Sequence, residues 1–252
     1  MNSDVLKGAA LSIIKVLPNT LYMAAVIMLS GIFFGTVIAL LRQKGSRPLN
    51  RLFDLALAYV RGTPLVVQML LVYYSLPRIL VFVGNSLFSL NLQGYDIPSK
   101  PSVYVSFIFC VSFVQSENIR AALKSVETGQ WEAAWADGLT SFQAFMRIIA
   151  PQALTVAVPG FLSFYMSVIK MLSLAFMLEV VDIIAAAKLY ATRVSIYTEC
   201  YVMAALIYWI LSIVFTFLAK KLEKKLQQKQ GRGVKNEILQ KRRITEKLGQ
   251  IA

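Results

Sequence analysis

A chain of 252 residues that is 57% hydrophobic and only 15% charged, with a mean hydropathy of +0.62, is too apolar for a soluble domain and reads as an integral membrane protein. Its formal charge of +13 could suit a nucleic-acid partner, but the positive residues gather in two clusters beside apolar stretches, the pattern of membrane topology and not of nucleic-acid binding. Histidine is absent, and no Ser or Cys has an evident activating partner, so the usual groups of hydrolytic and metal-dependent catalysis are missing.

Residues 1–15 read as an external interfacial segment, in a helix expected to end at Pro18. They lack the basic region and small-residue site of a cleaved signal peptide. Residues 16–41 are uncharged and form a first span, in which Gly31 and Gly35 have the spacing that lets another helix approach closely. Arg42, Lys44, Arg47 and Arg51 follow as the first basic cluster. A second span is expected over residues 52–76, carrying Asp54 and Arg61 in its first half. Within its RGTPLVVQML segment, Pro64 invites a kink that Gly62 can accommodate. Arg61 either snorkels to the headgroups or takes part in a gating or structural ion pair. Gln68, two turns deeper, must bond a neighbouring helix or line a cavity. The Pro, Gly and Asn punctuation of residues 77–101 reads as an external loop with one re-entrant or interfacial turn. A third span, residues 101–123, closes with Glu117 and Arg120, three apart on one helical face and expected to pair with each other or across an interface.

The next stretch is polar and interrupted: GQWEAAWADGLTSFQAFMRIIAP, residues 129–151. Thr128 is placed to cap a short helix in which Trp131 and Trp135 lie one turn apart, sharing a face with Ala134. Gly138 supplies the left-handed residue that ends it. Thr140 and Gln143 have capping-box spacing for a second helix along which Phe142, Phe145, Met146 and Ile149 recur at helical period. On periodicity alone this is a helix, a glycine turn and a helix, as compatible with an ordinary packed hairpin as with a docking surface. Pro151 is expected to open the fourth span, and Pro159-Gly160 to bend or break it near the middle. Lys170, at its outer end, either marks a functional site within the membrane or snorkels outward. A short external helix is expected over residues 178–189, capped by Asp182, before a last span at 201–217 that stops at Lys220 and Lys221. Beyond it a basic helix suits anionic headgroups of the membrane lipid, and the rest of the basic tail, 227–252, is expected to be flexible. Cys110 and Cys200 read as buried, inert thiols.

The fold class is therefore all-α, an integral membrane protein of five transmembrane helices with a cytoplasmic helix-turn-helix loop. The positive-inside bias of the clusters places the N-terminus outside and the C-terminus inside. No P-loop pattern occurs, so any ATP is bound by another chain.

Glu132, Ala133, Ala134, Gly138, Ile148 and Pro151 stand in the spacing of the EAA loop of ABC importer permeases, with Ala150 where the family has leucine. RGTPLVVQ, SVETGQWEAA and PQAL further resemble the polar amino acid branch, and ALIYWIL is similar to cystine-type permeases. The resemblance implies a permease domain over residues 16–226, with the coupling loop at 128–151. It implies that Gln130, Trp131, Glu132, Ala133, Ala134, Trp135, Asp137, Gly138 and Phe142 meet a separate ATPase subunit that carries ATP and Mg. It also implies an external amino-acid-binding protein, a second permease chain, identical or paralogous, and residence in the bacterial cell membrane. Thr63, Gln68, Lys170, Met171, Leu172 and Ser173 are the implied substrate pathway, and Arg61, Gly62, Pro64, Glu117, Arg120 and Pro159 the gating or structural set. At the end of the fourth span the branch usually reads Lys-Asp-Thr-Ser-Leu, whereas this chain has Lys170, Met171, Leu172, Ser173 and Leu174. The lost carboxylate implies a substrate without a cationic side chain, and soft Met171 suits a sulfur-containing one such as cystine. Competing readings are an ATP-independent secondary transporter or channel using Glu117, Lys170 and the Pro159 break, and a scaffold acting through the basic tail.

Overall fold

A computed structural model describes residues 3–93 and 99–249, without the side chains of residues 44, 99 and 226–249. Every regular element among the described residues is a helix: α1 (Ser3–Lys44), α2 (Arg47–Gly62), α3 (Leu65–Phe88), α4 (Ser99–Lys124), α5 (Thr128–Ala136), α6 (Ser141–Ala144), α7 (Ala150–Met171), α8 (Ile183–Val194) and α9 (Thr198–Gly249). A π-turn at Phe145–Ile149 joins α6 to α7, and a 3-10 segment, Leu172–Leu178, extends α7. Five stretches are long and apolar enough to cross a membrane, Ser3–Gln43, Leu65–Phe88, Lys100–Lys124, Ser141–Leu178 and Thr198–Lys225, which agrees with the expected number.

The chain divides into two compact units, Met1–Arg120 with Phe164–Ile213, and Ala121–Ser163 with Val214–Ala252. In the first, α1 meets α4 where α1 has no side chains: a Cβ on Gly35 would lie 2.8 Å from the Ser112 carbonyl oxygen, and one on Gly31 would overlap Val111. The glycine spacing thus serves a close approach within this chain. The N-terminal part of α1 packs on the alanine-rich face of α8, with Ile13 against Ile183, Ala186 and Ala187, and Val5 and Ala9 against Ala191. In the second unit, Ala122, Ala153 and Ala157 form a small core with Leu123, Val126 and Phe161 around it.

Prolines behave differently from expectation. Pro18, Pro77 and Pro159 all lie inside helices, so α1 does not end at Pro18, α3 continues through what reads as loop to Phe88, and α7 is unbroken at Pro159-Gly160. Each costs its helix one hydrogen bond, which long membrane helices tolerate where neighbouring helices, side chains or local adjustments meet the freed carbonyl. Pro64 is the exception. Thr63 before it is extended (φ −111°, ψ 141°), and the expected second span at 52–76 is replaced by two helices broken at Thr63-Pro64. Pro151 does not open its span either, because the helix has already begun at Ser141 and reaches Pro151 through the π-turn. The wider turn, closed by the Ala150 N–H to the Phe145 carbonyl, makes room for a ring that would otherwise press on the preceding turn. The short helix after α7 is Ile183–Val194 instead of 178–189, and Asp182 caps it as expected. The backbone of α9 stays helical to Gly249, in place of the expected flexible tail.

Candidate functional site

Two sets of residues carry the candidate chemistry, one in each unit. In the second unit, α5 begins at Thr128 after Glu127, so Thr128 is its first residue and not its cap. Its end is a Schellman turn. The Gly138 N–H donates to the Trp135 carbonyl and the Leu139 N–H to the Ala134 carbonyl, both at 3.0 Å, with Gly138 at φ +76°. Thr140 and Gln143 form the expected reciprocal capping box. Ala134, Ala144 and Ile149 are buried and hold the two arms together, while Trp131 lies 5.9 Å from Trp135 and 6.5 Å, nearly parallel, from Phe145. The opposite surface is open. Gln130, Glu132, Ala133, Trp135, Asp137, Gly138 and Phe142 are exposed, Phe142 to 73%, and Met146 lies open beside them. Gln152 Nε2 donates to Gln130 Oε1 (3.2 Å) and to the Ile148 carbonyl (3.1 Å), a brace between α7 and α5 that the sequence alone does not reveal.

In the first unit the break between α2 and α3 is closed by Gln68. Its Nε2 donates to the Val60 carbonyl (3.0 Å), the Thr63 carbonyl (3.0 Å) and Thr63 Oγ1 (2.8 Å), so the side chain meets carbonyls that the end of α2 leaves open. Gln68 therefore bonds a neighbouring helix, one of its two expected roles. It is only 4% exposed, and its Oε1 has no hydrogen-bond partner among the described residues. Met171, at the end of α7, packs against the cluster of Leu57, Val60, Cys110 and Phe113, as does Leu65 just past the break. Met171 thus packs against the cluster that contains Val60, whose carbonyl Gln68 meets. Leu172 is fully buried, the Ser173 hydroxyl donates to the Lys170 carbonyl (2.7 Å), and Lys170 itself is exposed. Arg61 and Gly62 are exposed, and no ion pair among the described residues involves Arg61.

Glu117 and Arg120 pair as expected, at 3.2 Å. Sequence reasoning missed their partners. Arg42 donates one terminal nitrogen to Glu117 Oε1 (2.6 Å) and the other to Asp54 Oδ1, which joins α1, α2 and α4. Asp54 was visible as a carboxylate in an apolar stretch, but Arg42 looked like one more topogenic charge.

Five helices long and apolar enough to cross a membrane, with a capped, exposed helix-turn-helix, suit a membrane transport component. Over residues 31–228 the sequence matches the family described as the binding-protein-dependent transport system inner membrane component. It is 34% identical over 217 residues to the probable amino-acid permease protein YxeN of Bacillus subtilis (strain 168), covering 86% of this chain and 92% of that one. It is 31% identical over 219 residues to the L-cystine transport system permease protein TcyL of the same organism, covering 86% and 87%. Among solved structures, the fold matches the crystal structure of an amino acid ABC transporter with histidines at a TM-score of 0.69, with 26% identity over 85% of this chain and 94% of that one. The MetNI methionine ABC transporter in inward-facing conformations shares the fold, with a TM-score of 0.66 at 15% identity over 90% and 99%.

The chain belongs to the family of inner membrane components of binding-protein-dependent transport systems. It is a multi-pass plasma-membrane permease subunit of an ABC importer, a non-catalytic component that works with separate ATPase subunits and a substrate-binding protein.

Proposed function

We propose that this permease imports a polar amino acid without a cationic side chain, with sulfur-containing amino acids such as cystine the favoured class. The observation that carries the proposal is Met171 packed against the cluster beside the α2–α3 break, where an apolar thioether stands in place of a carboxylate. A cationic side chain would find no counter-charge there. Thr63 and Gln68 frame the same break, and carbonyl-rich ends of discontinuous membrane helices are where transporters commonly hold substrates. The similarity to an L-cystine permease supports the same class.

The exposed face of α5 and the Gly138 turn is the surface for the ATPase subunit, which holds ATP and Mg. Trp135 and Phe142 supply apolar anchors to bury against it, and Glu132 and Asp137 flank them with negative charge. This places the loop and the C-terminus in the cytoplasm and the N-terminus outside, consistent with the basic clusters. The chain works beside a second permease chain.

The test is ATP hydrolysis by the reconstituted complex with its binding protein, scanned across amino acids. Cystine or another neutral amino acid is expected to stimulate and Lys and Arg are not; stimulation by Arg and Lys alone overturns the proposal. Met171→Asp is expected to weaken the preferred substrate by about tenfold, through a carboxylate left without a partner in an apolar cluster.

A further inference from the structure

We propose that Arg42 is a positioning residue of the transport cycle, handing a shift of α4 on to α2 and the break beyond it. The inference rests on the reading of residues 128–151 as the surface that meets the ATPase.

Arg42 stands at the junction of three helices. It lies near the end of α1, Asp54 lies on α2, and Glu117 and Arg120 lie on α4 a few residues before that helix ends at Lys124 and the chain enters α5. The Arg42 side chain is 6% exposed, against 62% for Asp54 and 28% for Glu117. A guanidinium so buried between two carboxylates from different helices fixes their relative placement, because its planar fork has one geometry for each acceptor.

The arrangement is charge-balanced but not fully satisfied. Glu117 Oε1 accepts from both Arg42 (2.6 Å) and Arg120 (3.2 Å), so one oxygen serves two guanidinia. Arg42 Nε is buried with no acceptor among the described residues. Buried donors left unpaired call for an explanation. A second arrangement of the same four groups removes the defect. If α4 moves away, Glu117 keeps Arg120 on its own helix, and Arg42 turns side-on to Asp54, so that Nε and a terminal nitrogen each donate to one oxygen of that carboxylate. Two guanidinia and two carboxylates remain paired in both states, so the exchange strands no charge. Asp54 is on the helix whose Leu57 and Val60 pack in the same cluster as Met171, and whose end Gln68 closes. Rolling Asp54 with Arg42 would therefore reach the proposed substrate break.

The experiment uses the full chain reconstituted with its ATPase subunits and binding protein, reading the ratio of substrate-stimulated to basal ATP hydrolysis. In Arg42→Gln, Glu117 retains Arg120 and Asp54 is open to water, so assembly is expected. The stimulation ratio is expected to fall about tenfold with an unchanged KM for ATP, and Arg42→Lys to recover part of it. Wild-type stimulation in assembled Arg42→Gln overturns the proposal, as does a uniform KM change without loss of the ratio. If Arg42→Gln fails to assemble, Asp54→Asn decides: a lowered ratio supports the relay, and a wild-type ratio reduces Arg42 to a structural brace. A wild-type complex that shows no stimulation would instead sink the coupling-loop reading itself.

Discussion

The coupling loop and the α2–α3 break are both interruptions in helices, and they solve opposite problems. At the loop, the backbone satisfies itself through a Schellman turn and a capping box, which frees Trp135 and Phe142 to face outward. At the break, a side chain is spent on the backbone: Gln68 turns inward to Val60 and Thr63 and is itself lost to the surface. The first design presents chemistry to a partner. The second keeps a discontinuity stable by meeting, with a buried amide, the carbonyls that the end of α2 leaves open. An interruption built for docking thus has local caps and exposed aromatics, and one built to join two helices end to end has a buried amide.

This contrast can be broken at either end. The largest effect is expected from Gln68→Leu, which preserves bulk but leaves the Val60 and Thr63 carbonyls unpaired at about 1–3 kcal/mol each. The purified protein should lose thermal stability accordingly, and a variant as stable as wild type would mean that the break is held by something else. Gly138→Val comes next. No neighbouring atom crowds that position, so the penalty is conformational alone, about 1–2 kcal/mol for a branched residue at φ +76°. It should fall on binding-protein-stimulated ATP hydrolysis while the membrane helices stay folded by circular dichroism.

The smallest effect lies away from both regions and calibrates them. Asp182 caps α8 by accepting from the Ala185 N–H (2.9 Å), and burial holds its carboxyl above the ordinary carboxylate range. The folded chain therefore binds that proton more tightly than the unfolded chain. Its contribution is full at pH below the unfolded carboxylate value and declines as pH rises through the raised folded value. Asp182→Asn, which can still accept at the cap, should flatten that slope in a thermal series across pH. An unchanged slope would assign it to another group.

Much of the loop was legible because its signals are local. Thr140 with Gln143, and a glycine three residues after Trp135, specify caps and a left-handed residue within a few positions of each other. The helix count was legible for the same reason, from uninterrupted apolar runs. Less legible was which proline breaks a helix. Six prolines, Pro18, Pro64, Pro77, Pro101, Pro151 and Pro159, sit in or beside membrane stretches, and the outcome at Pro64 depended on Thr63 becoming extended and on Gln68 being available to close the gap. Proline biases the residue before it toward extended backbone at every such site, but which site yields depends on what can close the gap. The Arg42 network was hidden for a different reason: its members come from three helices, 12 and 75 positions apart in sequence, and periodicity on one helix carries no information about another. The near-parallel pair of Trp131 and Phe145 likewise depends on how α5 folds back on the π-turn.

The central claim is that the loop transmits work while the break sets what is carried. The most direct measurement compares Phe142→Ala with Met171→Asp in the same reconstituted complex, recording ATP hydrolysis against substrate concentration for several amino acids. Phe142→Ala should lower maximal stimulation, by about tenfold or more if it is an anchor, and leave the order of amino-acid preference unchanged. Met171→Asp should reorder that preference with near-normal maximal stimulation by whichever substrate it accepts. If Phe142→Ala changes the order, or Met171→Asp lowers stimulation equally for all amino acids, the division of labour is contradicted.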